Sequence, residues 1–290
     1  MKYTTILPIL LTSFFPIFNA NATVAVENNQ TVAFLGDSIT QSGADSPAGY
    51  VRLIVSGLAA NDIIVTPIPA GISGNNSANM LARLDADVLS KKPQWMTLSC
   101  GVNDVWHGDK GILLEPYKEN ITKLINQAQA AKVKVLLLTS TMIFEDQSQP
   151  MNQTLVAYNS FLRDIAKEKG CLLADVNESM QTFVAANIQA AGGKAPGNFL
   201  TVDGIHMNPL GNEMMAARVL ETLGLNEAQM SKAKQVWLTF PASSAMDARA
   251  MITLQQVKQL SEVAHTRKLS LQALLAELLS NAITDAIEKK

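Results

Sequence analysis

Four short stretches of this 290-residue chain carry side chains suited to covalent chemistry, and each lies beside a break in an apolar run or in a loop. Gly36-Asp37-Ser38-Ile39-Thr40 closes the apolar run 31–35. A serine next to a glycine at a strand end can project into a cleft as a nucleophile. Ala70-Gly71-Ile72-Ser73-Gly74-Asn75-Asn76 follows a second apolar run. Its glycines let backbone come close to a ligand, with an N–H free to meet developing negative charge. Gly101-Val102-Asn103-Asp104 follows a third run, and the Asn103 amide is a donor suited to a tetrahedral oxyanion. In Asp203-Gly204-Ile205-His206, two intervening residues allow a short loop to set the carboxylate against one ring nitrogen, leaving the other as a general base. Each stretch alone is also what an ordinary polar turn looks like. Their order, Ser, Gly, Asn, His, makes them a set.

Bringing the four together requires a scaffold that presents loops at one end. Apolar runs at 31–35, 63–68, 94–100, 133–139 and 171–176 read as strands, bounded by glycine, proline and polar residues. Helical periodicity fills 50–60, 79–89, 113–131, 151–169 and 209–223 between or after them. Gly170 is a plausible stop for the fourth helix, and Asn208 with Pro209 caps and opens the fifth. Strands without polar alternation, separated by helices, imply βαβ units and a parallel sheet covered on both faces. The expectation is an α/β, flavodoxin-like three-layer sandwich with a five-stranded parallel sheet. Such a sheet binds its ligand beyond the carboxyl ends of the strands. Residues 226–290 show helical patterning only, with segments at 226–240, 247–265 and 270–287, and read as a helical extension to a domain spanning 23–225.

The four blocks together resemble the GDSL-type, or SGNH, hydrolase family in its secreted esterase/acylhydrolase branch, over roughly 31–223. Gly36-Asp37-Ser38, with Ile39 in the leucine position, is similar to the first block; Gly71 stands for the glycine block, Gly101-x-Asn103-Asp104 for the asparagine block and Asp203-x-x-His206 for the last. The resemblance implies that Ser38 attacks an ester carbonyl, that His206 carries its proton to the leaving alcohol, and that Asp203 orients the imidazole. It implies an oxyanion hole of the Ser38 N–H, the Gly71 N–H and the Asn103 side chain. Water completes deacylation, so neither metal nor cofactor is implied. The chain contains no Gly-x-Ser-x-Gly elbow of the α/β-hydrolase type. Trp106 and His107, just past Asn103, are weaker candidates to line a substrate pocket; His265 and Ser73 read as packing and loop residues.

Composition narrows the partners. With 23 Lys+Arg against 25 Asp+Glu and a formal charge of −2, the chain has no basic excess for nucleic acid, and its 48% hydrophobic content excludes a disordered chain. Residues 1–22 read as a signal peptide: Lys2, an apolar stretch at 6–18 too short to span a bilayer, then Ala20-Asn21-Ala22. The mature protein is therefore expected to be secreted or periplasmic, without a stable membrane anchor. Cys100 and Cys171, at opposite ends of the expected sheet, are expected to be free thiols. The expected substrate is a short-chain ester, above all O-acetyl groups on carbohydrate. The alternatives are a lysophospholipase- or thioesterase-type acylhydrolase, or a non-catalytic carbohydrate-binding protein on the same fold. The C-terminal helices could serve self-association.

Overall fold

The structure is a computed structural model that describes residues 24–190, 192–193, 198–240 and 254–289. The expected signal peptide lies outside the described residues, as does the start of the helix expected from 247. No described helix is long and apolar enough to cross a membrane.

Strands β1 (Thr31–Gly36), β2 (Thr66–Gly71), β3 (Trp95–Ser99), β4 (Lys134–Leu138) and β5 (Leu172–Ala174) form one parallel sheet in the order β2-β1-β3-β4-β5. This is the flavodoxin-like order expected from the alternation of elements. β3 is buried throughout, and β1 and β4 are buried beyond their first residues, because helices cover both faces. On one side α3 (Ser77–Asp87) packs against α5 (Leu114–Ala130), and α5 against α6 (Pro150–Lys169). On the other, α8 (Pro209–Thr222) packs against both α2 (Tyr50–Ala59) and α7 (Val176–Ala190). Gly170, at φ 63°, ends α6, and the Asn208 side chain accepts the Gly211 N–H to open α8.

Two differences from the sequence pattern matter for the site. The second strand runs 66–71, not 63–68. The β-branched triplet 63–65 suggests the earlier register, but pairing starts where the Thr66 N–H donates to the Gln30 carbonyl and ends where Ile72 donates to Gly36. Alternation then points the nitrogens of Pro67, Pro69 and Gly71 away from β1, toward the open edge, where proline's missing donor costs nothing. Two short helices also follow strands directly: α1 (Ser38–Asp45) and α4 (Val102–Trp106). They are too short to show a helical period in sequence, and they carry Ser38 and Asn103.

The chain divides into two compact units, the first running to Ser244 and the second from Ala245. The first thus continues past the 225/226 boundary drawn from sequence. The reason is α9 (Glu227–Trp237): its Trp237 indole donates to the Leu53 carbonyl (2.9 Å), and Gly57 of α2 leaves room for Ala233 and Trp237. In the second unit, α10 (Leu254–Thr266) and α11 (Leu271–Glu288) bury Ala264 and Leu274, while Leu278, Leu279, Ile283 and Ile287 are exposed. Both cysteines are free, and burial raises both thiols, Cys171 to about 11.

Candidate active site

The Ser38 side grows directly out of the core. β1 ends at Gly36, and Asp37 caps α1 by accepting the Ile39 N–H (2.9 Å). That makes Ser38 the first helical residue. Its N–H has no carbonyl four residues back within the helix, so it is one of the donors a helix start leaves over, and the helix dipole adds positive potential there. Asp37 is 2% exposed, and burial lifts its carboxyl from the ordinary 3.8 to about 6.

The Asp203–His206 side is a loop. The Asp203 Oδ1 accepts the N–H groups of Ile205 (3.0 Å) and His206 (2.8 Å), curling the chain so that the imidazole falls beside its own carboxylate. Nδ1 of His206 lies 2.7 Å from the Asp203 Oδ2, and Nε2 lies 3.0 Å from Ser38 Oγ, a residue 168 positions away. A carboxylate only accepts, so Nδ1 carries the proton and Nε2 accepts the Ser38 hydroxyl. Partial burial raises the Asp203 carboxyl, but the hydrogen bonds from the His206 ring, the His206 N–H and the Ile205 N–H outweigh it and leave the group below its ordinary value. It stays ionised.

This loop hangs on a residue that no sequence pattern singles out. The buried Glu145 carboxylate, in the loop after β4, accepts the N–H groups of Phe199 (2.6 Å), Leu200 (2.8 Å) and Thr201 (2.8 Å) and the Thr201 hydroxyl (2.8 Å). Thr201 Oγ1 in turn accepts the Gly204 N–H (3.1 Å), and the Phe144 N–H donates to the Gly204 carbonyl (2.7 Å). An acidic residue in a polar loop carries no sequence signal for this; only the approach of 199–204 gives it partners.

Asn103 lies on α4, 8% exposed, and donates one amide hydrogen to the Asn75 carbonyl (3.0 Å), which leaves its second as a free donor. Arg83, also not marked by sequence, fixes this corner by donating to the Asn75 Oδ1 (2.7 Å) and the Gly36 carbonyl (2.9 Å). Asp104 is turned inward, where burial raises its carboxyl; it accepts the Ser77 N–H and hydroxyl and holds the start of α3.

Gly71 does not have the orientation expected of an oxyanion donor. Its N–H alternates with that of Ile72, which faces β1, and so points to the open edge with the prolines. It has no side chain because α1 backbone at Thr40 and Gln41 fills the space a Cβ would need. The tight turn that follows, in which the Asn75 N–H donates to the Ile72 carbonyl, places Gly74 at φ 77° between two anchored neighbours. The Ser73 N–H donates to the Gln41 side chain on α1 (2.9 Å), and the Asn75 carbonyl holds Asn103. Gly74 is thus the glycine that the fold suspends between the serine helix and the asparagine. A left-handed turn position is readable as glycine-favouring, but the choice between two glycines three apart needed the register.

Trp106 sits one helical turn beyond Asn103, 37% exposed, with its ring 5.5 Å from that of Phe144. His107 ends α4, exposed, and its ring makes no hydrogen bond among the described residues. Among those residues no cluster of His, Cys, Asp and Glu is arranged to hold a metal ion.

Comparison with known proteins gives this geometry a context. Residues 34–214 match the GDSL-like Lipase/Acylhydrolase family. The chain is 26% identical over 218 residues to an acetylxylan esterase of Geobacillus stearothermophilus, a match covering 69% of this chain and 96% of that one. It is similar to the crystal structure of Axe2, an acetylxylan esterase from the same organism, with a TM-score of 0.62 at 25% identity over 70% of this chain and 97% of that one. It is also similar to the acetyl xylan esterase AlAXEase, with a TM-score of 0.61 at 31% identity over 66% of this chain and 98% of the other.

Proposed function

Because this chain belongs to the GDSL-like lipase/acylhydrolase family and is a carboxylic ester hydrolase, we propose that it removes short acyl groups, above all O-acetyl groups, from carbohydrate through an acyl-enzyme on Ser38. The Ser38 Oγ attacks the ester carbonyl carbon while its proton passes to His206 Nε2. The carbonyl π electrons move onto oxygen, and the resulting oxyanion accepts hydrogen bonds from the Ser38 N–H, the free Asn103 amide hydrogen and, in place of the Gly71 donor, the Gly74 N–H. The tetrahedral species collapses, the C–O bond to the alcohol breaks, and the imidazolium gives that oxygen its proton. Water then attacks the acyl carbon as His206 Nε2 takes one of its protons; the second tetrahedral species collapses, the bond from the acyl carbon to Ser38 Oγ breaks, and the imidazolium returns the proton to that oxygen, so that the acid departs and Ser38 is regenerated. Asp203 stabilises the imidazolium in both halves.

The observation that carries this reading is the bridge by one imidazole between a carboxylate at 2.7 Å and a hydroxyl at 3.0 Å. The acetyl preference is supported by the two acetylxylan esterases to which the chain is similar. Secretion, expected from residues 1–22, belongs to the same proposal. The test is labelling with a fluorophosphonate followed by peptide mass spectrometry, with turnover measured on aliphatic esters from acetate to dodecanoate. Labelling of Ser38 and a maximum at acetate or propionate are expected. Labelling elsewhere overturns the site, and a maximum at octanoate or longer overturns the acyl preference.

A further inference from the structure

Phe144 is a bulky residue in a backbone conformation that bulky residues avoid. Its φ is 61°, in the left-handed region, where a side chain with a Cβ is strained. Such strain persists only where the surroundings over-determine it. Here the Phe144 N–H donates to the Gly204 carbonyl, and the next residue is Glu145, which holds 199–201. The conformation lays the ring against Gly204, inside the Asp203–His206 loop. Gly204, at φ 97°, has no room for a Cβ, because the ring edge of Phe144 occupies that space. The segment is therefore locked in a costly conformation that seats the aromatic ring against the loop bearing Asp203 and His206.

Yet the ring is not buried by this. Phe144 is 38% exposed and Trp106 is 37% exposed, with ring planes 64° apart. Trp106 shares a helix face with Asn103, three residues earlier. One ring is thus tethered to the oxyanion side and the other to the acid–base side, and together they make an open corner between the two.

We propose that the Trp106–Phe144 corner is a stacking subsite for the pyranose ring that carries the ester. This rests on the carbohydrate-ester reading above and adds to it the residues that select the alcohol half. The C–H face of a pyranose packs on an aromatic face, while its hydroxyls need water or polar partners. Two rings left more than one-third exposed at an angle suit such an amphipathic ring. An alkyl chain gains most from an enclosed channel, and this corner would leave it half wet.

Three measurements test it. The first compares kcat/KM for an O-acetylated xylo-oligosaccharide with that for ethyl acetate, which has neither a sugar nor an aromatic ring. In Trp106→Ala and in Phe144→Gly, the ratio of the two should fall about tenfold or more, mainly through KM for the saccharide. Glycine accepts φ 61° without strain, so the second variant removes the ring while easing the backbone. A fall of equal size on both substrates overturns the subsite and makes the rings structural. A larger fall on ethyl octanoate than on the saccharide overturns it in favour of an acyl wall. The second measurement uses fluorescence. Of the three tryptophans, Trp95 and Trp237 are buried, so Trp106 is the one a solute can reach. Deacetylated xylo-oligosaccharide added to Ser38→Ala should shift the emission, and that shift should vanish in Ser38→Ala/Trp106→Ala; a shift that survives overturns the assignment. The third separates this proposal from the one beneath it: a wild-type protein inert toward both ethyl acetate and the acetylated saccharide refutes the esterase reading, whereas one active on ethyl acetate with no preference for the acetylated saccharide refutes the subsite alone.

Discussion

The two halves of the site are built by different means. Ser38 and Asn103 stand on helices that spring from β1 and β3, among residues such as Asp37, Leu98 and Asp104 that are almost wholly buried. Asp203 and His206 stand on a loop, with side chains 51% and 39% exposed. The first half is positioned by burial at strand ends in the core, with the buried carboxylates of Asp37 and Asp104 pinning the helix starts. The second is positioned by a few hydrogen bonds that converge on Glu145 and on the carboxylate of Asp203 itself. The lesson is that a precise imidazole does not need a packed one. It needs backbone donors gathered on a small number of charged acceptors, because such bonds are strong and directional.

The sharpest way to break this contrast is to remove the imidazole. His206→Ala should lower ester turnover by about 10⁴-fold or more, while the unfolding free energy moves by less than about 1 kcal/mol. A large loss of stability, read from thermal or urea unfolding, would mean the loop belongs to the core after all.

Asn103→Ala tests the packed half. Turnover should fall by about 10²–10³-fold, with KM little altered. Stability should fall by about 1–2 kcal/mol, since the Asn75 carbonyl loses its donor in a buried corner. Steady-state kinetics with urea denaturation check both numbers.

Glu145→Ala carries the comparison to a residue that touches no substrate. Three backbone N–H groups lose a common acceptor, and the imidazole loses its fixed distance from Ser38. Turnover should fall by about 10–10²-fold, and the rate of fluorophosphonate labelling of Ser38 should fall with it. Full labelling speed at reduced stability would make Glu145 a structural residue only.

Asp37→Asn should have the smallest effect, on stability alone and in the unusual direction. Burial lifts the folded carboxyl from 3.8 to about 6, so between these values the folded state holds a proton that the unfolded state has released. The native form therefore loses stability as pH rises through this window. Asparagine keeps the helix cap without the buried charge. The variant should be more stable by about 1–2 kcal/mol at pH 7.5 and match the wild type near pH 4. Unfolding at both pH values checks it.

Much of this was legible in the residues. Unbroken apolar strands alternating with periodic helices required a doubly covered parallel sheet, and that sheet required a site at its carboxyl ends. Asp203 and His206, three residues apart in a turn-forming sequence, were readable as a pair because local backbone bonding brings them together. What the sequence could not show depended on distance. The Gly71 and Gly74 choice turned on strand register, in which Pro67, Pro69 and Gly71 face the open edge only once β2 has paired with β1. Glu145 and Arg83 look like any loop or helix charge until 199–201 and the 72–75 turn close upon them.

By itself, then, the sequence determined the kind of scaffold and the local chemistry of each block, because periodicity and short-range hydrogen bonding act over a few residues. The tertiary structure alone decided that the His206 ring reaches Ser38, which carboxylate holds the histidine loop, and that Trp106 meets Phe144. These are contacts between segments tens of residues apart, and no local propensity encodes which way two chains will face when they meet.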